Sequence, residues 1–454
     1  MTRWTFITIG AIFTANLSLA QETALSVTAP AAEWSAILSR ALAKLAGASK
    51  RLLKYSCLET IERTYYTDRP ARKLGARAMS ETPAESCDGK EFSEDGHLTL
   101  DVEDRLRLAV AVAGDKEIHS WAAANRFDSR SVFEIIPTGP MSTGAFGSSV
   151  VDIFENVGVR YSFIGWKSEG SRDIFEYAFE VPFEASYSQV RAGTEWIKTS
   201  YHGSFEIDAA TAELVRLISE TDPLPLETKM CRFRTDTTYH YMRIGDGQFL
   251  MPGRSGFDVL RPDGNETRSV TTFSACHEYV AESSVVFDEE APAANRKVTP
   301  KTAAPLPSGL SLTVALLEPI DMRTAAAGDA VAGKVTKAVR APGSNEILVD
   351  AGAVLHGRIT AMQHRYSASQ FAFAIRYETL EQRGAVSPVA IELDRELKAE
   401  QAQARNGFAS RGSEFSLPAP TAAGEAGSWF TVPAARGGNV MAASSESKWI
   451  TVAK

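Results

Sequence analysis

The run Gly328-Asp329-Ala330-Val331-Ala332-Gly333-Lys334-Val335 has the glycine and lysine spacing of a phosphate-binding loop. Such a loop works because backbone N–H groups and a helix N-terminus cradle phosphate while a Ser or Thr after the lysine holds magnesium. Val335 stands where that hydroxyl is required, and the residues after it alternate like a strand, so the run reads as a turn in a β-barrel. Gly253-Arg254-Ser255-Gly256 is one residue short of a nucleophile elbow and leads into no helical pattern, which makes it a loop. The seven histidines, at 97, 119, 202, 240, 277, 356 and 364, include no His-x-x-x-His or His-Glu-x-x-His pair that would place two ligands on one helix face. His202 and His240 lie on polar faces of expected strands, where they can meet across a sheet, and a hydrogen-bonded structural role is expected for both. Glu59 with Glu62, and Glu206 with Asp208, are carboxylate pairs of a kind that chance supplies among 56 acidic residues. No catalytic residue, cofactor or metal is therefore expected, and the chain reads as a non-enzyme. A buried pair of titratable groups in a cleft would reopen that case.

Cysteine chemistry is structural on the same reading. Cys57, Cys87, Cys231 and Cys276 form an even set without a Cys-x-x-Cys pair, and the adjacent Cys276 and His277 would point to opposite faces of a strand, which argues against zinc. Two disulfides are expected, although four cysteines allow three connectivities. Pairing Cys57 with Cys87 and Cys231 with Cys276 is the expectation, closing two loops of tens of residues at roughly 3 to 4 kcal/mol each in the chain-entropy model. The N-terminus supplies a compartment in which disulfides persist: Arg3, the apolar stretch Trp4 to Leu17 and Ser18-Leu19-Ala20 read as a secretory signal over residues 1–20. Gln21 follows where a lipoprotein would have Cys, and no later stretch approaches the roughly 20 apolar residues of a membrane span, so a freely diffusing periplasmic or secreted protein is expected. A net charge of −8 argues against nucleic acid, which needs a concentrated basic surface.

The elements that would position these residues are mainly strands. After the signal, Glu33 to Lys54 carries Trp34, Ile37, Leu38, Ala41, Leu42 and Leu45 at helical steps. Tyr55, Cys57, Glu59, Ile61 and Arg63 then alternate as a strand. Further alternating runs cover Leu106 to Val112, Ile118 to Trp121, Phe175 to Val181, Trp196 to Asp208, Leu214 to Ile218, Thr235 to Ile244 and Ser269 to Val280, with a short helix at Ser148 to Val157. A hairpin is expected where Tyr239, Tyr241 and Arg243 run into Gly245-Asp246-Gly247. Residues 289–307, with Pro292, Pro300, Pro305 and Pro307, read as an interdomain linker. Beyond it, short strands from Leu310 to Leu393 make a small all-β domain over 308–395. A low-complexity tail over 396–454 follows, from which Trp429 to Val432 and Trp449 to Val452 can return as edge strands.

Two resemblances add to this reading. The strand Tyr201 to Asp208, its turn into Leu214-Val215-Arg216-Leu217 and the segment Leu250-Met251-Pro252 resemble uncharacterised exported proteins of acidobacterial type, themselves similar to the half-barrel of periplasmic lipoprotein-sorting carriers. Over residues 33–288 that resemblance implies a curved antiparallel sheet with helices on its concave side. Leu312-Thr313-Val314-Ala315-Leu316, Gly328-Asp329-Ala330-Val331 and Ile347 to Arg358 resemble the barrel of TrbI-type conjugation proteins, with Asp350 in place of that family's proline. This second resemblance implies an envelope β-barrel without the channel function.

Phe175, Tyr177, Phe179, Ile197, Tyr201, Phe205, Tyr239 and Tyr241 fall on repeated strand faces and would line the half-barrel's concavity. The first expectation is an exported binding protein that holds lipid or the apolar groups of a lipoprotein there. The alternative is a structural component of a cell-envelope assembly with envelope proteins as partners, and a hydrolase without a recognisable motif comes third. Helix residues Trp34, Ile37 and Leu38 decide between the first two: an open concavity favours carriage, a plugged one favours a scaffold.

Overall fold

The structure is a computed structural model that describes residues 31–47, 55–68, 86–93, 97–113, 116–122, 124, 126–244, 247–278, 301–302, 306–394, 427–434 and 439–453. The expected signal segment, most of the expected linker and residues 396–426 of the expected tail lie outside these. The fold is mainly β, with α1 (Ala31–Leu45), α2 (Val132–Ile135) and α3 (Ser148–Phe154) as its described α-helices. The first region holds β1 (Tyr55–Thr67), β2 (Thr99–Ala113), β3 (Lys116–Trp121), β4 (Arg160–Glu169), β5 (Arg172–Val181), β6 (Gln189–Ala192), β7 (Glu195–Lys198), β8 (Tyr201–Asp208), β9 (Leu214–Thr221), β10 (Arg232–Ile244), β11 (Gly247–Leu260) and β12 (Glu266–Glu278). The second holds β13 (Lys301–Thr302), β14 (Ser311–Leu316), β15 (Ile320–Asp321), β16 (Ala330–Val335), β17 (Val339–Arg340), β18 (Ile347–Val349), β19 (Val354–Arg365), β20 (Gln370–Gln382), β21 (Ala385–Pro388), β22 (Ile391–Leu393), β23 (Ser428–Pro433), β24 (Val440–Met441) and β25 (Glu446–Thr451).

In the first region the antiparallel order is β3-β2-β1-β12-β11-β10-β9-β8-β5-β4, a meander whose helices lie on one face. The period of two sets that face. In β1, Tyr55, Cys57, Glu59, Ile61, Arg63 and Tyr65 are all buried, so one side of the strand is covered along its whole length. The β10–β11 hairpin forms as its turn residues imply, with Ile244 opposite Gly247. β4 and β6 are not legible in the sequence, because a bulge between Phe163 and Gly165 breaks the period of β4 and β6 is only four residues long. The expected strand from Trp196 to Asp208 is broken at Thr199-Ser200: Trp196 and Ile197 pair with Arg191 and Val190 in a separate two-stranded ribbon, while Tyr201 begins the pairing with β5. Gly253 to Gly256, expected as a loop, lies inside β11, because Thr235 to Thr237 and Val270 to Thr272 pair with its two edges.

The disulfides connect differently from expectation: Cys57 joins Cys276 and Cys87 joins Cys231. Pairing by proximity in sequence overlooked the sheet. β1 lies against β12 with Ser56 opposite His277 and Leu58 opposite Ser274, which brings Cys57 and Cys276 to a Cα separation of 4.1 Å. The loops span 219 and 144 residues and are nested. Either closure alone is worth about 5 kcal/mol in the chain-entropy model, and the second adds less once the first exists.

The second region wraps around an apolar core that includes Leu312, Val314, Leu355, Phe373, Leu380 and Trp449. β25-β14-β16-β19-β20 pair in that order, and the stretch 385–393 bonds to β20 through β21 and to β25 through β22. The strand at 446–451, expected at an edge, is therefore interior, and Trp449 is fully buried because both of its neighbours are present.

β2 joins the regions. On one edge it pairs with β1; on the other, 108–113 pair with β3 and 102–104 pair with 363–365 of β19. The short β3 leaves the edge of β2 free, and the second region occupies it. Here the loop-like run finds its use: Ala327 exchanges backbone hydrogen bonds with Arg105 and Arg107, and Asp329 pairs with the Arg107 guanidinium. A Cβ at Gly328 would lie 2.1 Å from the Arg107 carbonyl oxygen, so only glycine permits this approach.

Candidate functional site

Alternation on β5, β8 and β10 brings six of the eight expected lining residues together. Phe175, Tyr177, Phe179, Tyr201, Phe205 and Tyr239 form one cluster, each at most 8% exposed. Tyr177 stacks on Phe205 at 5.3 Å because the two are opposite one another in the β5–β8 register. The helices cover this cluster. Ile37, Ala41 and Leu45 of α1 follow at four-residue steps onto it, Trp34 stacks on Phe163 at 5.5 Å, and the Tyr177 hydroxyl donates to the Trp34 carbonyl at 2.7 Å. From α3, Phe154 meets Phe205 edge-on at 5.0 Å and Asp152 accepts from the Tyr201 hydroxyl. Burial raises the pKa of Tyr177, Tyr201 and Tyr239 well above the ordinary phenol value.

Polar bonds at its C-terminal end hold α1 in place. Arg40 donates to the Ala210 carbonyl at 2.9 Å, and Lys44 pairs with Glu213 at 2.7 Å while lying over the Tyr241 ring at 4.8 Å. Tyr241 thus sits half-buried beside the helix rather than in the cluster, and Ile197 belongs to the β6–β7 ribbon. Of the two alternatives, an open or a plugged concavity, the structure has the plugged one, a packed interior, since apolar strand faces at this spacing attract an amphipathic helix.

The same covered face holds ionisable groups: Arg63 and Asp104, whose meeting the sequence does not signal, and Glu59, which it pairs with Glu62 rather than with His119. Arg63 binds Asp104 through two nitrogens at 2.7 Å each, Tyr65 donates to the same carboxylate at 3.0 Å, and Arg63 also reaches the carbonyls of Thr138 and Pro140. This buried fork clamps the 138–140 loop to the sheet. Farther along, Glu59 Oε1 lies 3.4 Å from His119 Nε2, both groups being buried. Burial, with Glu117 as a second cause, pushes the Glu59 carboxyl up to about 8, and burial pushes His119 down to about 4. Both are held neutral near pH 7. Glu117 is raised by burial as well, against the opposing effect of hydrogen bonds from Gly144 and Ser148. The pair has the shifted character of catalytic groups, but it is packed among side chains on the inner face and lines neither the cleft at the junction of the two regions nor the one beside the β6–β7 ribbon.

The other candidates are accounted for by local bonds. Glu206 pairs with Lys167 at 2.9 Å and Asp208 with Arg172 at 2.8 Å, while Glu62 lies on the outer face of β1 against Arg105. His202 contacts Asp222 at 3.2 Å and does not meet His240, which lies opposite Met251 on a strand two positions away. Ser255 shares a 2.7 Å hydrogen bond with Thr237 inside the sheet. Among the described residues no group of three or more His, Cys, Asp and Glu side chains is arranged to hold a metal ion.

Where the regions meet, a cleft of about 340 Å³ is lined by Asp104, Met322, Met362, His364, Tyr366 and Phe371, among others. His364 is sandwiched between Tyr366 and Phe371 at ring separations of 4.0 and 4.4 Å, and Tyr366 donates to Glu103 at 2.8 Å. Burial lowers the His364 pKa, and burial together with Glu103 pushes Tyr366 up to about 12. The groups facing this cleft bond to one another across the junction and tie β2 to β19. Compared with models of known families, with curated proteins and with solved structures, the chain matches none.

Proposed function

We propose that this chain is an exported, non-catalytic protein that serves as a rigid structural component of a cell envelope. The observation that carries the reading is the filled inner face of the first region: α1 and α3 occupy the space that a lipid or lipoprotein acyl group would need, and Arg40 and Lys44 pin α1 to the turn after β8. Support for export comes from two disulfides that brace the first region, a device that persists in oxidising compartments. No helix among the described residues is long and apolar enough to cross a membrane. Continuity of the sheet through β2 suits a part that transmits load or fixes spacing, since relative motion of the two regions would require breaking ladder hydrogen bonds.

Native mass spectrometry of the protein purified from its own exported fraction tests this. The expected spectrum shows the mass of the disulfide-bonded chain with no bound small molecule. Lipid co-purifying in stoichiometric amount would overturn the scaffold reading in favour of carriage, with the buried rings of β5 and β8 as its binding surface.

A further inference from the structure

A second cleft, of about 550 Å³, lies on the first region away from α1 and α3, between the α2 segment and the β6–β7 ribbon. Phe133, Glu134 and Pro137 line one side, and Arg191 and Gly193 the other. Arg191 is opposite Trp196 in the ribbon's register, so the two side chains share a face, and the Trp196 ring stands edge-on to Phe133 at 5.0 Å. The ribbon reverses in a two-residue turn opened by Gly193 at φ +63°, and among the described residues it pairs with no other strand.

Three features of this groove do not serve the core. Trp196, which packs on the groove's Phe133, is 45% exposed, and Phe183 and Tyr187, in the segment that leads into the ribbon, are 53% and 79% exposed, a concentration of aromatic surface around the ribbon that a chain of ordinary composition has no folding reason to keep in water. Arg191 is fixed by one hydrogen bond, from Nε to the Gly193 carbonyl at 2.9 Å, and its terminal nitrogens have no hydrogen-bond acceptor among the described residues. Glu134 is fixed in turn: its Oε2 accepts from the Ser131 backbone and hydroxyl at 2.8 and 2.9 Å, and the charges of Arg130 and Arg191 act on the same carboxylate. The groove thus presents flat aromatic surface beside one planar donor fork and one planar acceptor, both pre-oriented.

We infer that this groove is a saccharide-binding site. The C–H face of a sugar ring stacks on aromatic surface, and neighbouring hydroxyls, each donor and acceptor, match a guanidinium and a carboxylate side by side. Charge selects the class: the lining carries one cation, Arg191, and one anion, Glu134, so a neutral polyol meets no net repulsion, whereas an anionic headgroup or phosphate would face the Glu134 carboxylate. The site does not depend on the scaffold reading and would give such a protein a hold on envelope glycan.

The test is calorimetric titration and saturation-transfer NMR of the full-length, disulfide-bonded protein with chitotetraose, cellotetraose and maltotetraose. At least one should bind at up to about 5 mM ligand, with Trp196→Ala and Arg191→Ala each weakening it by about tenfold. Thermal melting of both variants should be unchanged because both side chains are exposed. Tyr366→Phe, in the other cleft, should leave binding unaltered. Absence of binding by all three sugars, or binding indifferent to both groove substitutions, would overturn the inference. So would Trp196-dependent partition onto phosphatidylglycerol vesicles without sugar binding.

Discussion

The first region keeps Glu59, Arg63, Asp104 and His119 beneath its helices and is tied by both cystines, whereas the second encloses Trp449, Phe373 and Leu355 in an apolar core without a cystine. Every buried charged side chain among the described residues belongs to the first region. The two halves of one continuous sheet therefore answer to different variables. Acid, base and reductant act on the first, and loss of packing volume on the second. A core that carries ions gains loop fixation and partner geometry at the cost of desolvation, and the cross-links add to it by constraining the unfolded chain.

That contrast is sharpened most strongly by deleting the largest side chain of the second core. Trp449→Ala should cost about 3–5 kcal/mol, and amide exchange should quicken in β14, β22 and β25 while β1 and β12 stay protected. In the first region, Arg63→Met should cost a similar amount, about 3–5 kcal/mol, because Asp104 is left buried without its counter-ion. Adding Asp104→Leu should recover most of it in urea unfolding, and failure to recover would show that the clamp on the 138–140 loop matters more than the charge. Replacing Cys57 and Cys276 with Ser should remove about 2–5 kcal/mol from the first region only. An equal loss in both regions would break the comparison.

The pH dependence is smaller and has a definite sign. Glu59, raised to about 8 from an ordinary 4.5, keeps in the folded chain a proton that the unfolded chain loses, so its contribution falls as pH rises from about 4.5 to 8. His119, lowered to about 4 from an ordinary 6.5, contributes in the opposite direction, losing stability as pH falls from about 6.5 to 4. Between about pH 4.5 and 6.5 the two slopes offset. Above pH 6.5 Glu59 acts alone of the pair, and stability should drop by about 2 kcal/mol on reaching pH 8, at about 1.4 kcal/mol per unit. Urea unfolding of Glu59→Gln should be flat over that interval, and an unchanged slope would assign the effect to Glu117. The smallest effect is expected at the junction: Arg107→Ala, which removes a half-exposed pair with Asp329, should cost no more than about 1 kcal/mol because the ladder at 102–104 and the Ala327 bonds remain.

Much of the fold could be read from alternation, but partnership could not. The faces of β1, β5 and β8 were legible because one side of each is uniformly covered, and α1 because Ile37, Ala41 and Leu45 keep a helical period. The disulfide partners were not, since Cys57 meets Cys276 through a strand pairing 219 residues apart. Trp196 to Asp208 looked like one strand because a two-residue break leaves the alternation intact. The aromatic lining was found residue by residue, yet whether rings on one strand face meet a ligand or a helix depends on a docking that no local pattern encodes. Arg63 and Asp104 gave no signal at all: two ordinary charges 41 residues apart become a site only in register.

The central claim, that α1 belongs to the interior of the first region and does not gate it, is tested most directly by hydrogen exchange of α1 with and without phosphatidylethanolamine vesicles. The account predicts that the amides from Ile37 to Leu45 exchange as slowly as those of β5 and β8 and that lipid leaves them unchanged. Fast exchange of α1 in the free protein, or deprotection on adding lipid while β5 and β8 remain closed, would contradict it.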